Sequence, residues 1–283
     1  MYDIWNSKLV AVDEVYKKDN YRIVENMECA NRVCYIFFSS NNIWFPNTEE
    51  AFKRSFINND YYEWSNFTGL NAEKFIFVRD IYKSWYVSGI NKQMDSIDKV
   101  ADFLRGQTRN MKVVTVGSSA GGYMAALMAA LLNAERCICF SAQFDLTLDN
   151  TVEKNPFLWK YKDEPNRSKY YDITKEIEDS KTSVFYIMPA YSKGDILQMK
   201  SVEKIHNVKI LKISSHHHGV PVFTGNLGKL LTMNKEELES FFSSKNGKIS
   251  GMIKVSAELC GVVTTVKAVK YEMKKVYKKI VRR

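Results

Sequence analysis

Short apolar runs recur along the chain, closed by polar turns and separated by stretches with helical spacing. Residues 32–38 (RVCYIFF) end in the turn Ser39-Ser40-Asn41-Asn42, and residues 74–78 (KFIFV) end at Arg79-Asp80. Residues 112–116 (KVVTV) run straight into Gly117-Ser118-Ser119-Ala120-Gly121-Gly122, and further runs occupy residues 136–140, 183–188 and 208–213. Each is brief, nearly continuous in apolar residues and bounded by turn formers, as expected of strands buried on both faces.

Helices are expected between these strands. Over residues 94–105, Met94, Ile97, Val100 or Ala101, and Leu104 share one face. Residues 123–132 are rich in Ala, Leu and Met and have high helix propensity. Residues 196–205 are also expected to be helical, and a further helix should begin near Asn234, where Asn234 and Glu237 have capping-box spacing. Buried strands alternating with helices predict an α/β fold, a mostly parallel sheet with helices on both faces. Residues 147–181 are polar, aromatic and weakly patterned, and a lid is expected there.

The chemistry concentrates at Gly117-x-Ser119-x-Gly121, placed between a predicted strand and a predicted helix. A tight strand-to-helix turn needs small residues on both sides of its centre, and it lifts the central hydroxyl out of the sheet. Backbone N–H groups at the helix start, with the helix dipole, then favour a developing oxyanion, and the Ala120 N–H is the natural first donor. Ser118 lies off the centre of the glycine pair and is the weaker nucleophile. A plain connecting turn or a phosphate cradle is the alternative, but the segment lacks the Gly-Lys-Ser/Thr ending of a P-loop.

A serine hydroxyl needs an adjacent base. The chain has four histidines, His206, His216, His217 and His218, and the last three follow the predicted strand at 208–213. His218, followed by Gly219, is favoured over His217 and then His216. Asp195, after the strand at 183–188, is the expected acid, with capping of the helix from Ile196 as its structural alternative and Asp145 as the fallback. A second oxyanion donor is expected at Ser40, Asn41 or Asn42, as a backbone N–H or an Asn side chain. Trp44 and Phe45 beside them, and Trp85-Tyr86, are candidates to line the pocket.

The order of strand, Gly-Ser-Ser-Ala-Gly-Gly, helix, later acid and last histidine resembles the α/β-hydrolase superfamily over about residues 30–243. Ile36-Phe37-Phe38-Ser39-Ser40-Asn41 and His218-Gly219-Val220-Pro221 look like small hydrolase-like proteins associated with bacterial polysaccharide (capsule) biosynthesis. Where many esterases of the superfamily carry a histidine-glycine run, this chain has Ser39-Ser40-Asn41-Asn42. That departure leaves the second oxyanion donor open.

Composition narrows the setting. With 283 residues, 45% apolar and 26% charged, the chain has the balance of a folded soluble protein. Its first residues, MYDIWNSKLVAVDEVYKK, lack the basic start and apolar core of a secretory signal, and no apolar stretch approaches the roughly 20 residues that span a bilayer. The five cysteines lack zinc-ligand spacing, and Cys137 and Cys139 read as buried free thiols. A reducing bacterial cytoplasm is expected, with no metal and no cofactor.

The net charge of +9 is local: residues 248–283 carry ten Lys or Arg against Glu258 and Glu272. In the same segment Val255, Leu259, Val262, Val266, Val269, Met273, Val276 and Ile280 alternate by four and three, flanked by Lys267, Lys270, Lys274, Lys275, Lys278 and Lys279. A catalytic domain over residues 1–246 and a basic amphipathic helical tail over 247–283 are therefore expected. Through residues 253–283 the tail would meet an anionic membrane surface or glycan-assembly proteins. Nucleic acid is not expected, because the basic residues are confined to one terminal helix. The expected activity is serine-dependent acyl transfer, by a carbohydrate O-acyl esterase or O-acyltransferase. The competing readings are a non-catalytic scaffold of the same fold and a nucleotide-sugar binder.

Overall fold

The computed structural model describes residues 10–281; the N-terminal signal reading rests partly on residues 1–9, which lie outside them. The apolar runs form one seven-stranded sheet: β1 (Tyr21–Glu25), β2 (Val33–Phe38), β3 (Lys74–Val78), β4 (Lys112–Ser118), β5 (Arg136–Phe140), β6 (Ser183–Pro189) and β7 (Val208–Ile213). Their order is β1-β3-β2-β4-β5-β6-β7. β1 runs antiparallel to β3, and every other pairing is parallel. β1 was not foreseen. Its sequence, YRIVE, is too short and too evenly half-buried to stand out as an apolar run.

Alternation along the strands divides the core in two. Cys34, Ile36, Val113, Cys137, Cys139, Val184 and Tyr186 face helices Ile97–Gln107, Ala120–Leu132 and Lys193–Val202. Tyr35, Phe37, Val114, Val116, Ile138, Phe185 and Ile187 face Leu227–Thr232, Lys235–Ser244 and the start of the last helix. A period-2 strand covered by helices on both sides must be apolar at successive positions, which is why these strands read as continuous runs. All five cysteines are free.

Capping moves some helix boundaries. The helix expected from Met94 starts at Ile97, because Ser96 caps it and the Asn91 side chain takes the Gln93 and Met94 N–H groups. The helix expected from Ile196 starts at Lys193, capped by Ser192. The Asn234–Glu237 capping box is present at Lys235–Ser244. Residues 147–181 fold into short helices whose Val152, Leu158 and Ile177 join the core, as does Tyr171 in the connection between two of them.

The terminal helix, Met252–Val281, departs from the expected single stripe because Gly261 (φ 79°, ψ 164°) breaks it. Before the break, Ser250 bridges alongside Ile213 and Val255 and Leu259 enter the core; after it the helix still rests on the domain, with Ala268 beside Gly225 and Glu272 accepting from the Thr224 hydroxyl at 3.4 Å. The break is stapled by Thr265 Oγ1, which lies 2.9 Å from Ser256 Oγ and donates to the Gly261 carbonyl at 2.8 Å. Beyond it, Thr265 and Ala268 turn inward, while Val262, Val266, Met273, Lys267, Lys270 and Lys274 are exposed. Lys275, Val276, Lys278, Lys279 and Ile280 lie outside the residues whose side chains are described. Among the described residues no helix is long and apolar enough to cross a membrane.

Candidate active site

Parallel strands deliver their carboxyl ends to one edge of the sheet, the usual place for a ligand crevice in such folds. There a cavity of about 650 Å³ is lined by Ser40, Asn41, Glu63, Ser119, His217 and His218 among others. Ser119 sits between β4 and helix Ala120–Leu132 with φ 55° and ψ −124°, outside the regions where L-residues rest comfortably. The glycines on either side are sterically required. A Cβ on Gly117 would lie 2.1 Å from the Gly121 carbonyl oxygen, and one on Gly121 would lie 2.3 Å from that of Phe38. The second contact also presses the elbow against the start of the Ser39–Asn42 loop. Ala120 is fully buried as the first helical residue, where its N–H has no intrahelical partner.

His218 Nε2 lies 2.9 Å from Ser119 Oγ, and its Nδ1 lies 2.9 and 3.1 Å from the two Asp195 carboxylate oxygens. A carboxylate only accepts hydrogen bonds, so this pairing puts the proton on Nδ1 and turns the Nε2 lone pair to the hydroxyl. Asp195 does not cap its helix; Ser192 does, and that leaves the buried carboxylate free for the imidazole. Asp145 is spent on Thr147, whose N–H and hydroxyl it accepts at 2.8 and 2.6 Å. His217 lines the cavity, and His216 packs on Tyr191 with ring centroids 5.0 Å apart. The His218 side chain is 44% exposed, so a second substrate can reach the imidazole. Among the described residues no group of His, Cys, Asp or Glu is arranged to hold a metal ion.

Sequence reasoning missed the anchor of the histidine loop. Ser141, just past β5, donates to the Gly219 carbonyl at 2.7 Å and accepts from its N–H at 3.0 Å. Such a clasp joins residues far apart in the chain, and no local pattern announces it.

In the loop after β2, the Ser39 N–H goes to Val78, that of Ser40 to Glu63, that of Asn42 to Ser40 Oγ and that of Ile43 to the Ser40 carbonyl. Among the described residues' hydrogen bonds, none engages the N–H of Asn41, a residue that lines the cavity. Trp44 is a correction: it is buried with Phe52 and Phe56, its Nε1 donating to the Ile81 carbonyl, and Phe45 lines the cavity instead. Trp85 and Tyr86 are also buried away from the lining, although the Tyr86 hydroxyl braces the loop by donating to the Ser39 carbonyl at 2.9 Å.

Three ionisable groups cluster beside the loop, and none was singled out from sequence. Surrounding protein raises the Glu63 carboxyl to about 7, although the side chain keeps some exposure to the cavity; the Ser40 N–H and hydroxyl, and then Lys83, pull the other way. Burial lowers the Lys83 ammonium to about 7 against the opposing pull of Asp80 and Glu63. Its Nζ donates to Asn47 Oδ1 and lies 3.8 Å above the Trp44 ring. Burial also raises Asp80 to about 6, although the N–H groups of Tyr86, Ser84 and Tyr82 all point at its carboxylate.

No protein-family model and no curated protein matches the sequence. Among solved structures, the capsule O-acetyltransferase of Neisseria meningitidis serogroup A, in complex with caged gadolinium, is 14% identical, with 80% of this chain and 92% of that one covered at a TM-score of 0.50. MenH from S. aureus is 11% identical, covering 81% and 97% at 0.45. A lipase-esterase related protein from Clostridium acetobutylicum is 15% identical, covering 70% and 91% at 0.41. The strand order, the strained serine elbow and the structural likeness agree: this chain has an α/β-hydrolase-like fold.

Proposed function

We propose that the protein is a serine-dependent acyl-transfer enzyme acting on a bacterial surface polysaccharide or its precursor, as an O-acyltransferase or O-acyl esterase. The observation that carries this reading is the single imidazole that meets Ser119 Oγ with one nitrogen and Asp195 with the other. Ser119 Oγ attacks the acyl carbonyl while His218 Nε2 takes its proton; Asp195 holds the imidazole and offsets its charge. The Ala120 and Asn41 N–H groups stabilise the oxyanion. Collapse expels the leaving group, which takes the proton from His218, and leaves Ser119 acylated. An incoming hydroxyl, from sugar or water, gives its proton to His218 and attacks the ester, which frees Ser119.

The glycan assignment draws on the resemblance of the Ile36–Asn41 and His218–Pro221 segments and on the fold shared with a capsule O-acetyltransferase. The lining fits it chemically. Asn41, Asn42 and Asn47 offer donors and acceptors, and Phe45, Tyr61 and Trp64 offer apolar faces, the mixture a polyhydroxylated ring needs.

The test is labelling of the purified protein with a fluorophosphonate, located by peptide mass spectrometry. A stoichiometric adduct on Ser119, absent in Ser119→Ala, is expected. An unlabelled Ser119 would sink the acyl-enzyme mechanism and leave the fold as a docking scaffold.

We further propose that residues 262–281 lie on an anionic membrane surface. Exposed Val262, Val266 and Met273 supply the apolar stripe, and Lys267, Lys270 and Lys274 the charge. Co-sedimentation should occur with phosphatidylglycerol vesicles and not with phosphatidylcholine, and should weaken in high salt. Equal behaviour toward both vesicles refutes it.

A further inference from the structure

We propose that Glu63 is the positioning residue of the oxyanion loop, gripping Ser40 so that the neighbouring Asn41 N–H faces the reacting carbonyl. This rests on the acyl-transfer reading above. The loop from Ser39 to Asn42 belongs to no strand or helix, and beyond the backbone bonds of the Ser39 N–H to Val78 and the Ile43 N–H to Ser40, side chains supply its restraint. Glu63 supplies it twice: one carboxylate oxygen accepts the Ser40 N–H at 2.7 Å, and the other accepts the Ser40 hydroxyl at 2.9 Å. The same hydroxyl oxygen accepts the Asn42 N–H at 3.1 Å, so the N–H groups on both sides of Asn41 are tied to one network. Asn41, between them, keeps its N–H unspent. Hydrogen bonds to a charged acceptor are shorter and stronger than neutral ones, which suits a loop that must hold its aim while charge builds beside it.

Glu63 is itself held. Arg79 donates to the Tyr61 carbonyl at 2.9 Å and stacks 4.0 Å from the Tyr62 ring, and the Tyr62 hydroxyl donates to the Tyr21 carbonyl at 3.1 Å. On the other side, Trp64 stacks between Phe37 and Phe140. Glu63 therefore extends from a segment fixed on both flanks to the sheet. The groups facing the carboxylate are Ser40, Lys83, Tyr61 and Tyr86.

A general acid or base role fits less well. Both carboxylate oxygens are engaged by Ser40, and the imidazole already meets Ser119. A carboxyl raised by its surroundings beside a cavity is costly to keep, and such groups concentrate at functional sites. Here that cost secures the direction of a neighbouring donor.

The experiment compares wild type, Glu63→Ala and Glu63→Gln for p-nitrophenyl acetate turnover and for the rate of fluorophosphonate labelling at Ser119. Loss of one oxyanion donor costs about 10²–10³ in kcat in other enzymes, and a misdirected donor should approach the lower figure. Glu63→Ala is expected to lower kcat and the labelling rate about 10²-fold with KM within about twofold, since the oxyanion forms only in the transition state. Glu63→Gln keeps an acceptor for the Ser40 N–H and should recover at least about tenfold of the loss. That rescue separates positioning from a general folding defect. Wild-type labelling with an unchanged Glu63→Ala rate overturns the inference and leaves the serine mechanism standing. A proportional rise in KM in both variants also overturns it, making Glu63 a substrate contact. An unlabelled wild type removes the mechanism itself, and this inference falls with it.

Discussion

The serine elbow and the loop that faces it are held by different physics, although they touch. The elbow is steric: Gly117 and Gly121 let backbone approach backbone where any side chain would collide, and Ser119 takes a strained φ because nothing else fits. The facing loop is held largely by polar side chains, with Glu63 on Ser40 and the Tyr86 hydroxyl on Ser39, and with Lys83 within electrostatic reach of Glu63 and Asp80. Steric packing constraints are short-ranged and carry no proton to gain or lose, so they do not answer to pH. Polar supports answer to pH and to the loss of a single partner. The nucleophile is thus fixed by excluded volume, and its electrophilic partner by charge and hydrogen bonds.

The sharpest way to break this contrast is Gly117→Ala. Its Cβ meets backbone at 2.1 Å, so the elbow must shift. We expect about 1–3 kcal/mol of destabilisation, read as a lower Tm. A fall of about 10²-fold in Ser119 labelling should accompany it. Activity near wild type would mean that the elbow tolerates a displacement its geometry forbids.

Ser141→Ala tests the polar side without touching the elbow. It removes both bonds that clasp the His218–Gly219 turn and should lower kcat about tenfold, with thermal stability changed by about 1 kcal/mol. A drop in Tm with kcat intact would make the clasp a stabilising contact only.

The smallest effect, and the most diagnostic, comes from Lys83→Met. In the unfolded chain this ammonium keeps its proton to about 10.5, and in the fold only to about 7. Between those values folding sheds a proton, so wild-type stability due to this group rises with pH through that window; below 7 the burial cost stands in full. The methionine variant should gain a few degrees in Tm at pH 6, with the gain shrinking toward pH 10. A pH-independent difference would remove electrostatics from the support of the loop.

The same contrast explains what the sequence disclosed. Strands showed themselves through runs of apolar residues, and the elbow through small residues at fixed spacing, because both constraints act between near neighbours. Ser119, Asp195 and His218 could each be singled out because each follows a strand at the same edge. The supports were invisible: Glu63 reaches Ser40 across 23 positions and Ser141 reaches Gly219 across 78, with no pattern linking either pair. Adjacency of Trp44 to Phe45 cannot tell which ring turns inward; the Trp44 Nε1 bond to Ile81 decides that. The terminal stripe was read as continuous because spacing survives on paper through Gly261, whereas the backbone there leaves the helical region.

The openness of His218 sets a competition in time. On the proposed mechanism the acylated serine waits beside an imidazole that bulk water can reach. Water arrives at about 55 M, while a well-oriented bound hydroxyl can act with an effective molarity of about 10⁵ M or more. The fate of each acyl group is then decided by occupancy: with an acceptor seated, transfer outruns loss, and with the seat empty the intermediate drains to acid. One protein would thus behave as an esterase or as a transferase according to the supply of its second substrate, with no change in its own structure.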